Sequence, residues 1–346
     1  LDKALEQAEW AGFPDRQQQA LQKGKRRGIG MCYYIESTMG DPSENAAVRF
    51  AADGAVEVMV GTQSNGQGHE TAYAQILNDR LGVPFESIRV VQGDTDILPN
   101  GGGTGGSRSV TAEGWAIQAA ADNVIERGKH YAAQEMEVAV GDIEFAEGSF
   151  SVAGTDRIID VIELAAKART ATQHPEGFEG GLDADATVEI AAWTFPNGCH
   201  VAEVEIDVDT GVTEVVNYSV VDDFGKLINP MLVEGQVHGG VVQGLGQALM
   251  EHAVYDDSGQ LLSGSFMDYS MPRADNMPSI VFSNVEVPCK NNPLGMKGCG
   301  EAGSVGSCAA VINAMIDALS DLGVTDLDMP ATPQRIWQML QARKAA

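Results

Sequence analysis

The segment that most constrains the fold is a predicted helix that contains five glycines. The run MLVEGQVHGGVVQGLGQALMEH, residues 231–252, follows Asn229 and Pro230, a pair typical of a helix start. Its glycines are Gly235, Gly239, Gly240, Gly244 and Gly246. Glycine in a helix interior costs about 1 kcal/mol relative to alanine. The sequence therefore predicts that this helix packs closely against another backbone or against a bulky ligand.

The rest of the chain mixes strand and helix patterns. GIGMCYYIES and AVEVMVGTQ are typical of strands, and a helix is predicted after GQGHE with Gly82 as its stop. Alternation on both sides of Asp209-Thr210-Gly211 predicts a hairpin. Because strict βαβ alternation is absent, we predict an α+β fold of two mixed α/β subdomains, 1–180 and 181–346, divided at the polar stretch 171–184.

Composition excludes several classes of partner. The formal charge is -27 with no offsetting Lys/Arg cluster, so neither nucleic acid nor an anionic membrane surface is expected to bind. No stretch is expected to reach the length of a membrane span. The five cysteines are scattered without metal-ligand spacing, which indicates a reducing, cytoplasmic compartment and no metal site built from this chain's side chains.

Two glycine-rich loops stand at strand-to-helix junctions. GGGTGGSRS, residues 101–109, precedes a long helical stretch, and its backbone N–H groups with Ser107, Arg108 and Ser109 suit a phosphate or diphosphate. A flexible surface loop with a serine cap is the alternative. GQGHE, residues 66–70, is weaker evidence and reads equally as a polar turn. Loops at equivalent junctions commonly line one crevice, which favours a shared binding site.

The third candidate feature is GMKGCGEAGS, which places Glu301 between glycines at the start of an apolar helix. The carboxylate is either a partner of the helix dipole or a general base whose pKa the apolar surroundings raise. Lys297 and Arg108 are the nearest cationic candidates, and the sequence does not show that either touches it.

Four segments in order, GQGHET, GGGTGGSRS, EGQVHGGVVQGLGQALMEH and NPLGMKGCGEAGS, resemble the large subunit of the xanthine dehydrogenase and aldehyde oxidase family of molybdenum hydroxylases. The resemblance is greatest to the carbon monoxide dehydrogenase type and runs over essentially the whole chain. It corresponds to the C-terminal half of the molybdopterin-binding region. Since Leu1 stands where an initiator Met is missing, we expect a piece of a longer protein.

The resemblance implies a role for each matching residue. Gly66, Gln67 and Gly68 would contact the pterin and dinucleotide, and Gly106 to Ser109 would hold the diphosphate of molybdopterin cytosine dinucleotide. Gln243 would bond the pterin, with Gln236 or His238 in support, and a flat cofactor would lie against the five helix glycines. Glu301 matches the family's general base, which takes a proton from the attacking water-derived oxygen. The residues concerned are Gly66, Gln67, Gly68, Gly106, Ser107, Arg108, Ser109, Gln236, Gln243 and Glu301.

The resemblance also implies partners that this chain does not supply. These are the upstream half of the molybdenum domain and the 2Fe-2S and FAD centres on other domains or subunits, in a dimer of heterotrimers. The substrate would be an aldehyde, an N-heterocycle or carbon monoxide, and this part alone would be inactive. Two other interpretations stay open: a non-catalytic cofactor-binding or assembly module, and an unrelated nucleotide-binding protein that uses GGGTGGSRS.

Overall fold

The structure is a computed structural model that describes residues 1–38, 40–98 and 100–344. The helices are α1 Asp2–Gln7, α2 Phe13–Gln22, α3 His69–Leu81, α4 Ser109–Glu135, α5 Val161–Thr170, α6 Pro230–Leu249, α7 Ala302–Leu319 and α8 Pro333–Lys344. The strands are β1 Lys25–Ile35, β2 Ser43–Phe50, β3 Val56–Val60, β4 Ile88–Val91, β5 Ile143–Ala146, β6 Ser149–Val152, β7 Ile158–Asp160, β8 Ala184–Glu189, β9 Asn197–Asp207, β10 Thr213–Asp223 and β11 Ile280–Asn284.

Two four-stranded sheets organise the molecule. One has the order β4-β3-β2-β8 and the other the order β1-β9-β10-β11, while β5, β6 and β7 form a small third sheet. Helices α3 and α4 pack with the first sheet and α6 and α7 with the second, each around its own apolar core. The predicted α+β class is confirmed.

Two strands do not follow the expected division at residue 180. Strand β1 pairs antiparallel with β9 over its whole length, so the N-terminal strand belongs to the second sheet. Strand β8 pairs with β2, so the first residues after the boundary complete the first sheet. Periodicity identifies a strand but not its partner, so the sequence alone does not show these two pairings.

Several local predictions are confirmed. Strands β9 and β10 form the expected hairpin, and Gly211 adopts φ 76° at its turn. Helix α3 ends at Gly82, whose φ of 64° places it in the left-handed region that glycine favours. Asn229 caps α6 by accepting a hydrogen bond from the Leu232 N–H.

The glycines of α6 divide into a packed and an open group. A Cβ on Gly240 would lie 2.9 Å from Gly303 Cα of α7, and one on Gly244 would lie 1.9 Å from Ser307 Oγ. The prediction of close packing against another backbone is therefore confirmed at Gly240. The expectation that a flat cofactor lies against all five glycines is wrong, since Gly240, Gly244 and Gly246 face protein atoms.

Helix α7 is both a core helix and an apolar one. The window 302–322 is long and apolar enough to cross a membrane by length and composition, which corrects the expectation that no stretch reaches that length. However, 56% of its most apolar 18-residue window is buried in the protein, and Val311 and Met315 are fully enclosed in the second core. A buried helix of a folded domain meets the same criterion.

Candidate functional site

A cleft of about 640 Å³ lies between the two halves and is lined by four separate segments. These segments are 65–72, 104–111, 224–243 and 296–301. The structure brings seven of the predicted site residues to its wall: Gly66, Gln67, Ser107, Ser109, Gln236, Gln243 and Glu301. The two glycine loops therefore share one site, as their junction positions predicted, and the Glu301 loop lines the same site.

Gly68 and Gly106 belong to the same loops without lining the cleft. Gly68 precedes α3 with φ 81°, and a Cβ there would lie 2.7 Å from Leu232 Cδ2 of α6. Gly106 has φ 66° in the turn before α4. Both glycines permit the backbone turns that present their neighbours to the cleft.

Four helices begin at this cleft. Residues around the first turns of α3, α4, α6 and α7 all line it. The starts of α3, α4 and α7 have no side-chain cap among the described residues, whereas α6 is capped by Asn229. Uncapped helix starts present backbone N–H groups and partial positive charge, so the cleft suits an anionic ligand although the chain is strongly acidic.

The Arg108 side chain does not reach the cleft. Its Nη1 donates to Glu44 Oε2 at 2.8 Å and to the Gly103 carbonyl, and its Nη2 donates to the Ser43 carbonyl. Glu44 also accepts from the Gly102 N–H. Both charged side chains are almost fully buried. The guanidinium therefore supports the 101–109 loop from inside the protein, while Thr104, Ser107 and Ser109 of the same loop line the cleft.

A third ionisable group, Glu113, lies on the α4 side of this loop and is fully buried. One of its carboxylate oxygens accepts from the Thr62 N–H, and the other has no hydrogen-bond partner among the described residues. Burial raises the pKa of Glu113 well above its ordinary value, and the nearby Glu44 charge adds to the rise. The loop therefore rests on a buried cluster of one arginine and two glutamates.

Ser107 joins the 101–109 loop to the Glu301 loop. Its hydroxyl accepts from the Glu301 N–H at 3.0 Å and donates to Glu36 Oε1 at 3.0 Å. Ser107 has φ 56°, a left-handed conformation that is uncommon for a residue with a side chain. A Cβ on Gly298 would lie 2.0 Å from the Ser107 carbonyl oxygen, so the two loops are in direct contact.

Glu301 precedes α7 with its side chain half-buried in the cleft wall. Burial raises the pKa of this carboxyl, and the Gly106 N–H opposes part of the rise. Its Oε2 is buried without a hydrogen-bond partner among the described residues. Neither of the predicted cationic candidates pairs with it, because Lys297 Nζ bonds Asp223 Oδ2 at 2.5 Å and Arg108 bonds Glu44.

The sequence did not indicate Glu36, Lys226 or Asp223, which is the acidic partner of Lys297. Glu36 follows β1, more than 70 positions before its Ser107 partner, so only tertiary pairing reveals it. Lys226 is exposed in the turn after β10 and lines the cleft. Cys299 lines it as well, and burial together with Glu36 and Asp222 raises the pKa of its thiol to about 12.

Within residues 1–38, 40–98 and 100–344, no group of three or more His, Cys, Asp or Glu side chains is arranged to hold a metal ion. The polar residues at the cleft include three glutamines, Gln67, Gln236 and Gln243, and Glu301, whose Oε2 has no hydrogen-bond partner among the described residues. The glutamine amides and the backbone N–H groups of the helix starts can donate hydrogen bonds, so this lining suits an organic anion.

Comparison with known proteins identifies the class to which this cleft belongs. A family model described as a molybdopterin cofactor-binding domain matches residues 3–278. Subunit gamma of the 6-hydroxypseudooxynicotine dehydrogenase complex of Paenarthrobacter nicotinovorans is 35% identical over 347 residues, which cover 100% of this chain and 44% of that protein. The carbon monoxide dehydrogenase large chain of Hydrogenophaga pseudoflava is 36% identical over 331 residues, 92% of this chain and 41% of that protein.

A solved structure agrees with these relatives. Quinoline 2-oxidoreductase from Pseudomonas putida 86 superposes with a TM-score of 0.88 at 37% identity, covering 98% of this chain and 45% of that one. The chain belongs to the molybdopterin cofactor-binding family of the molybdenum hydroxylases, and its counterpart there is the large subunit, as the four motifs predicted. It spans less than half the length of the curated relatives that it matches.

Proposed function

We propose that this chain forms part of the active-site cleft of a molybdenum-dependent oxidoreductase and holds molybdopterin cytosine dinucleotide there. The observation that carries the proposal is the convergence of four helix starts, three of them uncapped, on one cleft. A dinucleotide diphosphate matches that arrangement of N–H groups and dipoles. The oxidised molybdenum centre would supply a two-electron acceptor beside the substrate.

The residues present fit this cofactor. The backbone around Gly106, Ser107 and Ser109 would hold the diphosphate, and Gln236 and Gln243 would donate to and accept from the pterin. Gly66 and Gln67 would also contact the cofactor, and Gly68 would shape their turn.

The Arg108 side chain is paired with Glu44, so its contribution would be to support the 101–109 loop. The exposed Lys226 at the wall adds a cation for a phosphate oxygen.

Glu301 is proposed as the general base. A general base must lie within hydrogen-bond reach of the proton that it removes, and its pKa should be near the working pH. Two observations support this role: Glu301 Oε2 has no hydrogen-bond partner among the described residues, and burial raises the pKa of the carboxyl. Lys297 and Arg108 pair with Asp223 and Glu44 instead of with Glu301.

The substrate and partners follow from the relatives. Their names point to a nicotine derivative, quinoline and carbon monoxide, so we propose an aldehyde, an N-heterocycle or carbon monoxide as substrate. The upstream half of the molybdenum domain would complete the cleft, and 2Fe-2S and FAD centres on other domains or subunits would carry electrons away. We place the assembly, a dimer of heterotrimers, in the cytoplasm and expect this part alone to be inactive.

The test is Glu301→Gln in the complete complex, with Glu234→Gln on the exposed face of α6 as the matched control. We expect kcat to fall by about 100- to 10,000-fold in Glu301→Gln only, because general-base catalysis contributes that much. Molybdenum content and CMP released by acid hydrolysis should equal those of the wild type in both variants.

The two measurements separate the competing functions. Full turnover in Glu301→Gln would refute the catalytic role, and the protein would then be a cofactor-binding or assembly module if molybdenum and CMP are present. Absence of molybdenum and CMP from the wild-type complex would refute cofactor binding itself and favour an unrelated nucleotide-binding protein.

A further inference from the structure

Glu36 lies directly after β1 and is linked to Glu301, the candidate base, by hydrogen bonds through Ser107. We propose that Glu36 is a positioning residue of this site, which fixes Glu301 and the 101–109 loop through the Ser107 hydroxyl. This inference rests on the proposed function, in which Glu301 is the base. The proposal adds a second carboxyl group to the site, from the residue that follows β1. No local pattern in the sequence indicates this residue.

The bridge has a defined direction of hydrogen bonding. The Glu301 N–H donates to Ser107 Oγ, and the Ser107 hydroxyl donates to Glu36 Oε1, both at 3.0 Å. Hydrogen bonds in such a chain strengthen one another, because each polarises the next. Removing the Glu36 acceptor would leave the Ser107 hydroxyl without its orienting partner.

The backbone at Ser107 explains why an orienting partner is needed. A non-glycine residue at φ 56° is held in a sparsely populated region that the surrounding structure must stabilise. Here the hydroxyl is bonded on one side to the start of α7 and on the other to the end of β1. The two bonds fix the turn that presents the Gly106 N–H to the Glu301 carboxyl.

The surroundings of Glu36 are acidic and apolar. The titratable groups near it among the described residues are Glu301 and Cys299 from the α7 loop, Tyr34 from β1 and, beyond them, Asp222 from β10. Burial raises the pKa of Glu36, and the charge of Glu301 raises it further, whereas the Ser107 hydrogen bond lowers it. Its Oε2 is buried without a partner among the described residues.

The charge of Glu301 also couples the titration of the two carboxyl groups. Because that charge raises the pKa of Glu36, its removal should lower the pKa of Glu36.

Three variants of the holoenzyme test the positioning role. Glu36→Gln keeps an oxygen acceptor for Ser107, whereas Glu36→Leu and Ser107→Ala break the bridge. We expect kcat to fall by up to about 100-fold in the last two, since a misplacement of about 1 Å costs that much. Glu36→Gln should retain most of the turnover, and KM should change little in all three.

A double-mutant cycle excludes a merely structural effect. If Glu36 acts through Ser107, Glu36→Leu combined with Ser107→Ala should cost no more than Ser107→Ala alone. Additive losses in kcat would overturn the proposal, and so would wild-type turnover in Glu36→Leu. Turnover in Glu36→Gln as low as in Glu36→Leu would also contradict it, because the conservative variant retains the acceptor.

A second readout does not depend on turnover. Infrared titration of the carboxyl C=O bands should show a protonated carboxyl that disappears in Glu36→Gln and that ionises at lower pH in Glu301→Gln, where the opposing charge is gone. An unchanged titration of Glu36 in Glu301→Gln would overturn the pairing of the two carboxyls. Because this result is independent of catalysis, it separates failure of the pairing from failure of the proposed function.

Discussion

The two walls of the cleft are held in place by opposite means. On one wall, the 101–109 loop rests on buried charges, with Arg108 between the Gly103 carbonyl and Glu44 and with Glu113 close by. On the other wall, α6 and α7 meet through bare backbone, where Gly240 faces Gly303. The first wall depends on charge and hydrogen bonding, and the second depends on the absence of side-chain volume.

This difference predicts different sensitivities. A buried ion cluster tolerates small changes in volume but not the loss of one partner, which leaves an uncompensated charge. A glycine contact has no charge to lose but cannot accommodate a methyl group without moving a helix. The substitutions below test each wall with the change that it should tolerate least.

The largest effect is expected from Arg108→Met. Loss of the guanidinium leaves Glu44 buried without its cation, so the free energy of unfolding should fall by about 3–5 kcal/mol. Arg89→Met is the control, since Arg89 pairs with Asp53 and Glu57 on an exposed surface and should cost at most about 1 kcal/mol. Urea denaturation measures both.

A second substitution sharpens the result on the charged wall. Arg108→Met combined with Glu44→Gln should recover part of the loss, because the double variant removes the unpaired charge. Equal stability of Arg108→Met and Arg89→Met would show that the buried pair does not hold this wall.

The next effect is expected from Gly303→Ala on the glycine wall. Its Cβ would lie 2.4 Å from the Val237 carbonyl oxygen and 2.6 Å from the Val241 N, so α6 and α7 must separate. We expect a loss of about 1–3 kcal/mol. Gly235→Ala in α6 is the matched control, because nothing lies within 4 Å of its added Cβ and alanine favours the helix by about 1 kcal/mol. A destabilising Gly235→Ala, or a neutral Gly303→Ala, would contradict this account of the interface in thermal or urea unfolding.

The smallest predicted effect is a difference between the two walls in how the free energy of unfolding depends on pH. The pKa of Glu113 is raised in the folded chain, so its contribution to stability is present below its ordinary pKa and is lost as pH rises through the folded pKa. The wild type should therefore lose stability relative to Glu113→Gln by about 1.4 kcal/mol per pH unit between those two values. The effect of Gly303→Ala should not change with pH, because no titrating group is altered. Parallel stability curves for the wild type and Glu113→Gln would contradict the buried, raised pKa of Glu113.

Local chemistry explains what the sequence predicted. The left-handed stop at Gly82, the Asn229 cap and the turn at Gly211 depend on nearest neighbours, and all three were predicted. The placement of the two glycine loops at one cleft was also predicted, because strand ends and helix starts share an edge.

What the sequence did not reveal depends on tertiary pairing. The GGGTGGSRS motif does not show which side of the loop Arg108 faces, and its partner Glu44 comes from a strand 64 positions away. The same limit hid Glu36, which meets Ser107 only because β1 joins the second sheet beside β9. The packed glycines of α6 were similarly ambiguous, since a backbone and a flat ligand demand the same small residue.

The convergence of helix starts in so acidic a chain also has a kinetic consequence. At a distance, an anion approaching the cleft meets the repulsion of a formal charge of -27, and it gains the attraction of the N–H groups only after it arrives. Added salt screens the first interaction over about 8–10 Å while leaving the short-range contacts in place. Loading of an anionic ligand should therefore accelerate with ionic strength, the reverse of the behaviour of proteins that attract nucleic acids.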